Sequence, residues 1–109
     1  MIDEQTFRKV AEDALERLQK ALERAADTYD FEVDRNEGAL TVEFADPPAR
    51  FVVSPNAPVR QIWVSARVKS FKLDWDEARG AFVFTPDQRD LKNLMAGVIG
   101  EQLGEDVAL

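Results

Sequence analysis

The apolar positions at the start of the chain recur every three or four residues: Phe7, Val10, Ala11, Ala14, Leu18, Ala21, Leu22 and Ala25. That is the period of a helix with one buried face, and it predicts a single amphipathic helix over residues 4–26. Asp3 stands where an N-cap belongs, and Ile2 and Phe7 bracket it as a hydrophobic staple. After Thr28 the period drops to two. Phe31 and Val33 alternate with Glu32 and Asp34, and Asn36-Glu37-Gly38 supplies turn chemistry before Leu40, Val42 and Phe44, so a hairpin is expected. There follow a Pro-containing turn over 45–49, a strand over 51–54, a stiff loop Pro55-Asn56-Ala57-Pro58, and strands over 61–66, 70–75 and 81–84. Thr85-Pro86-Asp87-Gln88 combines a hydroxyl cap, proline at the first helical position and Gln three residues on, so a second helix is expected to start there. Its Leu91, Leu94, Met95, Val98, Ile99 and Leu103 share a face, and Gly104 stops it.

The order helix, about six strands, helix, with hairpin-length connections, predicts an α+β two-layer sandwich: two terminal helices on one face of an antiparallel sheet. At 109 residues the chain makes one domain, 1–109. Strand alternation then sorts the side chains. Leu40, Val42, Phe44, Phe51, Val53, Ile62, Val64, Phe71 and Leu73 belong under the helices, and Thr41, Glu43, Val52, Ser54, Gln61, Trp63, Ser65 and Lys72 on the free face. A tryptophan on a free sheet face is either an interface anchor or a ring packed on its neighbours and on arginine stems.

Composition narrows the chemistry. The chain has neither cysteine nor histidine. Disulfides, thiolate metal sites, cysteine nucleophiles and imidazole bases are therefore excluded. Ser54 and Ser65 have no histidine to activate them, and no Gly-rich phosphate loop or nucleophile elbow occurs. Asp74, Asp76 and Glu77 lie in a strand-to-turn segment ending at Gly80, where acids favour the turn. The protein is expected not to be an enzyme. The formal charge of −7 disfavours nucleic acid, and no apolar run reaches the roughly 18 residues of a membrane span. No leader pattern is present, so a bacterial cytoplasmic location is expected, a mature mitochondrial matrix chain being the other source compatible with the sequence.

Charge is segregated: residues 1–34 hold ten acids and five bases, 35–72 three and six, and 73–109 eight and three. The sheet is thus relatively basic and the helical layer acidic. On the first helix Glu12, Glu16, Glu23 and Asp27 form a stripe, and the next strand adds Asp30, Glu32 and Asp34. Two readings stay open. The carboxylates attract hard cations or a basic partner, or they only keep a helix face wet, with Glu16 and Lys20 as an i,i+4 pair.

Several segments taken together resemble one family. Asn56-Ala57-Pro58-Val59-Arg60-Gln61-Ile62-Trp63-Val64-Ser65 looks like the Pro-x-x-Gln-[Ile/Val]-Trp-[Leu/Val]-[Ser/Ala] signature of the frataxin family, in its bacterial CyaY type. Gly38-Ala39-Leu40-Thr41-Val42, Phe51-Val52-Val53-Ser54, Lys72-Leu73-Asp74-Trp75 and the opening Ile2-Asp3-Glu4-Gln5-Thr6-Phe7 are similar to the strands and first helix around that signature. The resemblance covers almost the whole chain. It implies the sandwich derived above and an iron-binding accessory protein of iron–sulfur cluster assembly, modulating a cysteine desulfurase that acts with a scaffold protein. By the same resemblance Glu12, Asp13, Glu16, Glu23, Asp27, Asp30, Glu32 and Asp34 would bind iron (Fe2+ or Fe3+) weakly, with no organic cofactor. Trp63 and Gln61, with Ser54, Asn56 and Lys72 beside them, would face the assembly complex. A monomer is expected, with iron-induced oligomers and weak iron oxidation implied by the resemblance alone.

The chain departs from the family at Lys20 and Arg24, where acids are common, at Ser54, where Asn is expected, and in having no histidine. The added positive charge weakens cation binding by the neighbouring carboxylates. A rival reading is a protein-interaction module with an acidic helix face and an exposed tryptophan, without a physiological metal.

Overall fold

A computed structural model describes residues 2–109. Helix α1 (Glu4–Ala25) opens the chain and α2 (Leu91–Leu103) closes it; between them lie β1 (Glu32–Asn36), β2 (Ala39–Ala45), β3 (Pro48–Asn56), a short 3-10 turn (Ala57–Val59), β4 (Gln61–Ala66), β5 (Lys69–Asp76), β6 (Ala81–Phe84) and β7 (Arg89–Asp90). The strands form one antiparallel meander in the order β1 to β7, each paired with its neighbours in sequence. The α+β sandwich is as expected, with one strand more than the pattern predicts. No helix among the described residues is long and apolar enough to cross a membrane.

Asp3 caps α1: its Oδ1 accepts from the Thr6 amide at 2.7 Å. That hydrogen bond, reinforced by the Thr6 hydroxyl, holds the Asp3 carboxyl below the ordinary Asp range. Because the folded value is the lower one, the cap contributes stability above the unfolded pKa and loses it as pH falls through the depressed folded value. Asp3→Asn keeps an acceptor without the titration. The urea midpoint of the wild type should therefore fall more steeply with acid than that of Asp3→Asn below about pH 4; parallel profiles would remove the carboxylate from the account.

Helix α1 buries Phe7, Ala11, Leu15, Leu18, Ala21, Leu22 and Ala25, and α2 buries Leu91, Leu94, Met95, Val98 and Ile99. They meet the inward side chains of the sheet, where Leu40, Val42, Phe44, Phe51, Val53, Ile62, Val64, Phe71 and Leu73 are all buried, as the alternation requires. Each such side chain contributes about 1.5–3 kcal/mol when fully removed from water. Gln102 is the polar residue admitted to this layer, and it is satisfied: its Nε2 donates to the Pro47 carbonyl at 2.9 Å while its Oε1 accepts from Arg67 at 3.0 Å.

Two expectations need correction. The second helix does not start at Thr85. Thr85 to Gln88 instead turn the chain between β6 and β7, with the Gln88 amide donating to Phe84 O at 2.8 Å, and Asp90 caps α2 by accepting from the Asn93 amide at 2.8 Å. Proline's fixed φ serves the second position of a turn as well as the first of a helix, so Thr-Pro alone does not decide between them. The strand expected over 51–54 runs from Pro48 to Asn56, since the proline ring accepts extended φ and Pro55 stays in register with Ile62. Thr41 keeps the free-face parity expected of it, and is only 5% exposed because in register it is flanked by Asp34 and Val52 on both sides.

Candidate functional site

The free face of the sheet assembles all five residues expected to meet a partner. Antiparallel register sets Ser54, Trp63 and Lys72 side by side on β3, β4 and β5, and Asn56, Gln61 and Asp74 in the next row. The short turn that makes this register is built on Ala57–Val59, with Arg60 in the left-handed region (φ 55°) and its guanidinium donating to the Ala57 and Ile2 carbonyls. Ile62 and Val64 are buried to either side of Trp63, which forces the indole outward. It is 37% exposed.

A hydrogen-bonded chain fixes the indole. Trp63 Nε1 donates to Gln61 Oε1 at 2.8 Å, and Gln61 Nε2 donates to Asp74 Oδ1 at 3.0 Å. The order is dictated by chemistry: an indole N–H only donates and a carboxylate only accepts, so the amide must turn its oxygen to Trp63 and its nitrogen to Asp74. Lys72 Nζ stands 4.9 Å from the ring centroid, a cation–π contact. Asp74 is the residue the sequence reading left out of the site. It lies within β5 rather than in the turn, and its parity matches that of Lys72. The result is an amphipathic platform in which an indole, an amide and a carboxylate form one hydrogen-bonded chain.

The acids of the other candidate site are all exposed along α1 and β1 but are not equivalent. Arg35, on β1, inserts beneath α1 with its side chain 19% exposed and clasps Glu12 through one nitrogen, 2.7 and 2.8 Å from the two carboxylate oxygens. Arg17 pairs with Asp13 at 3.1 Å and Lys20 with Glu16 at 3.3 Å. Glu23 accepts only from the Gln19 amide at 3.4 Å, and Asp27, Asp30, Glu32 and Asp34 enter no ion pair among the described residues. Among these residues no three carboxylates approach closely enough to hold one metal ion. The ridge is therefore not a preformed coordination site. Three of its eight acids, Glu12, Asp13 and Glu16, are already paired with the chain's own cations. Arg35 was invisible as a partner of Glu12, because that pair spans 23 positions and no helical or strand period links them.

Residues 1–105 match the family model described as a frataxin-like domain. The chain is 37% identical over 97 residues to the iron-sulfur cluster assembly protein CyaY of Pseudomonas aeruginosa, covering 87% of this chain and 89% of that one. It is 33% identical over 108 residues to the protein of the same name in Dechloromonas aromatica, covering 99% of each. In three dimensions it is similar to frataxin from Psychromonas ingrahamii, with a TM-score of 0.82 at 18% identity, over 98% of this chain and 97% of that one. With the family match spanning nearly its whole length and the same fold in a solved relative, the chain belongs to the frataxin/CyaY family.

Proposed function

We propose that this protein is a non-enzymatic accessory factor of iron–sulfur cluster assembly that docks on a cysteine desulfurase and its scaffold through the free face of its sheet, and so modulates their activity. The observation that carries this reading is the fixed indole of Trp63, held outward by Gln61 and Asp74 and covered on one side by Lys72. A large ring locked in one orientation loses little conformational freedom on binding, which is what makes tryptophan an interface anchor. Relatives named for iron–sulfur cluster assembly supply the class of partner. Trp63→Ala should weaken binding to a purified desulfurase–scaffold complex by at least about tenfold, measured by titration calorimetry, with the circular dichroism spectrum unchanged. Binding equal to wild type would remove the sheet face from the docking surface.

Iron carriage is the second reading, favoured by the unpaired acids at the far end of the ridge. Carboxylates bind hard cations, and Asp27, Asp30, Glu32 and Asp34 have no basic partner among the described residues. Anaerobic Fe(II) titration of labelled protein should broaden amide signals over residues 23–34 before those of Glu12, Asp13 and Glu16. Equal broadening at both ends would contradict the ion-pair partition of the ridge.

A further inference from the structure

Glycine is the unstrained occupant of a left-handed backbone, yet position 60 holds an arginine at φ 55° and ψ 44°. A Cβ in that conformation crowds the following carbonyl oxygen. Such a residue persists where its surroundings over-determine it, and here the side chain supplies the surroundings. The Arg60 amide closes the 3-10 turn by donating to Ala57 O at 3.1 Å. Its guanidinium donates to the same carbonyl and, at 3.3 Å, to Ile2 O. Ile2 immediately precedes the Asp3 cap of α1 and packs half-buried against the core. The guanidinium thus bridges 58 positions of chain, tying the β3–β4 turn to the entry of the first helix.

Position 60 also stands directly before Gln61. Gln61 must face Asn56 on one side and Asp74 on the other, with its amide held between Trp63 Nε1 and Asp74 Oδ1. A turn free to swing would carry Gln61 with it and release the indole. A bridge from the turn to the helical layer removes that freedom before a partner arrives, so less ordering is left for binding to impose.

We propose that Arg60 is a positioning residue for docking: its guanidinium ties the β3–β4 turn to the entry of α1, holds Gln61 in place and so fixes the Trp63 indole. The inference rests on the docking role of the sheet face proposed above. The indole N–H of Trp63, identified by its absence in Trp63→Phe, reports the bridge in the free protein. Arg60→Met keeps the Cβ and the stem but has no donor, and Arg60→Gly relieves the backbone as well. In both, exchange of that proton with solvent should quicken about three- to tenfold, the Boltzmann factor of one net hydrogen bond. The indole N–H of Trp75, whose ring lies against Phe82 in the core, should keep its wild-type rate, whereas general loosening would move both. Affinity for the desulfurase–scaffold complex should fall in the same two variants by about the same factor. Wild-type exchange at Trp63 in either variant, or equal acceleration at both indoles, would overturn the inference and leave the docking reading standing. Faster exchange at Trp63 with wild-type affinity would overturn it too, when Trp63→Ala itself binds weakly. A Trp63→Ala variant that binds as tightly as wild type would instead overturn the docking reading, and this inference with it.

Discussion

Phe82→Ala should lower the unfolding free energy by about 3–5 kcal/mol, much of the roughly 5–15 kcal/mol available to a domain of this size. Phe82 is 1% exposed and stands where three elements meet. Its ring is edge-on to Phe7 of α1 at 5.8 Å and to Trp75 of β5 at 5.1 Å. Truncation would remove the ring's transfer free energy and both aromatic contacts, and the cavity left behind would be bounded by a strand and a helix that cannot easily collapse into it. Phe84, two residues along the same strand, is the internal control. It is half-buried and touches Phe71 at 5.1 Å, so its alanine variant should cost clearly less. Urea unfolding would show a lower midpoint with an unchanged slope. Equal losses at the two positions would mean that the junction has no special standing.

Gly100→Ala should be the other costly change, about 1–3 kcal/mol, although alanine is the better helix former. A Cβ at this position would lie 2.8 Å from the carbonyl oxygen of Glu105. The contact arises because α2 ends at Gly104, in the left-handed region at φ 72°, with the Gly104 and Glu105 amides both donating to Gly100 O. The turn folds the last residues back over the helix, where Val107 and Leu109 pack on the core and the Ala108 amide reaches the Tyr29 hydroxyl at 3.5 Å. The obstructing atom belongs to the backbone, so the whole terminal segment must shift. Amide exchange should accelerate over 105–109 before the rest of α2 loosens. Gly97→Ala supplies the contrast: its Cβ would meet Arg89 Nη1, also at 2.8 Å, but that is the end of a flexible side chain. Removal of glycine from a helix interior favours the folded state by roughly 0.5–1 kcal/mol, so Gly97→Ala should be neutral or slightly stabilising. A Gly100→Ala variant as stable as wild type would show that the terminal segment contributes little.

The strand parity around Trp63 was legible because its neighbours leave no choice: Ile62 and Val64 are aliphatic, Gln61 and Ser65 are polar, and a sheet has two faces. The fixed platform was not legible. It depends on Asn56 pairing with Gln61 and Gln61 with Asp74, a register set by three strands, the 3-10 turn between two of them and the left-handed Arg60. The seventh strand escaped for a simpler reason, since two residues cannot display a period. Ion pairs along one helix, such as Glu16 with Lys20, can be read from spacing. Those that join separate elements, such as Glu12 with Arg35, require the fold. That difference decides the candidate metal ridge: as a list of carboxylates it looks uniform, and in the folded molecule three of its eight acids are already ion-paired.

The meander also leaves the long side of β1 without a neighbour, because β1 is the first strand of the sheet and pairs only with β2. Such an edge is a template onto which another unfolded or folded chain can add itself, and fibrous self-association is the usual outcome when it is long, flat and apolar. Here it is five residues long, and Glu32 and Asp34 alternate along it. Stacking two copies edge to edge would bring like charges together without a compensating cation. The carboxylates proposed to attract ions thus also disfavour pairing of this strand with a second copy of itself.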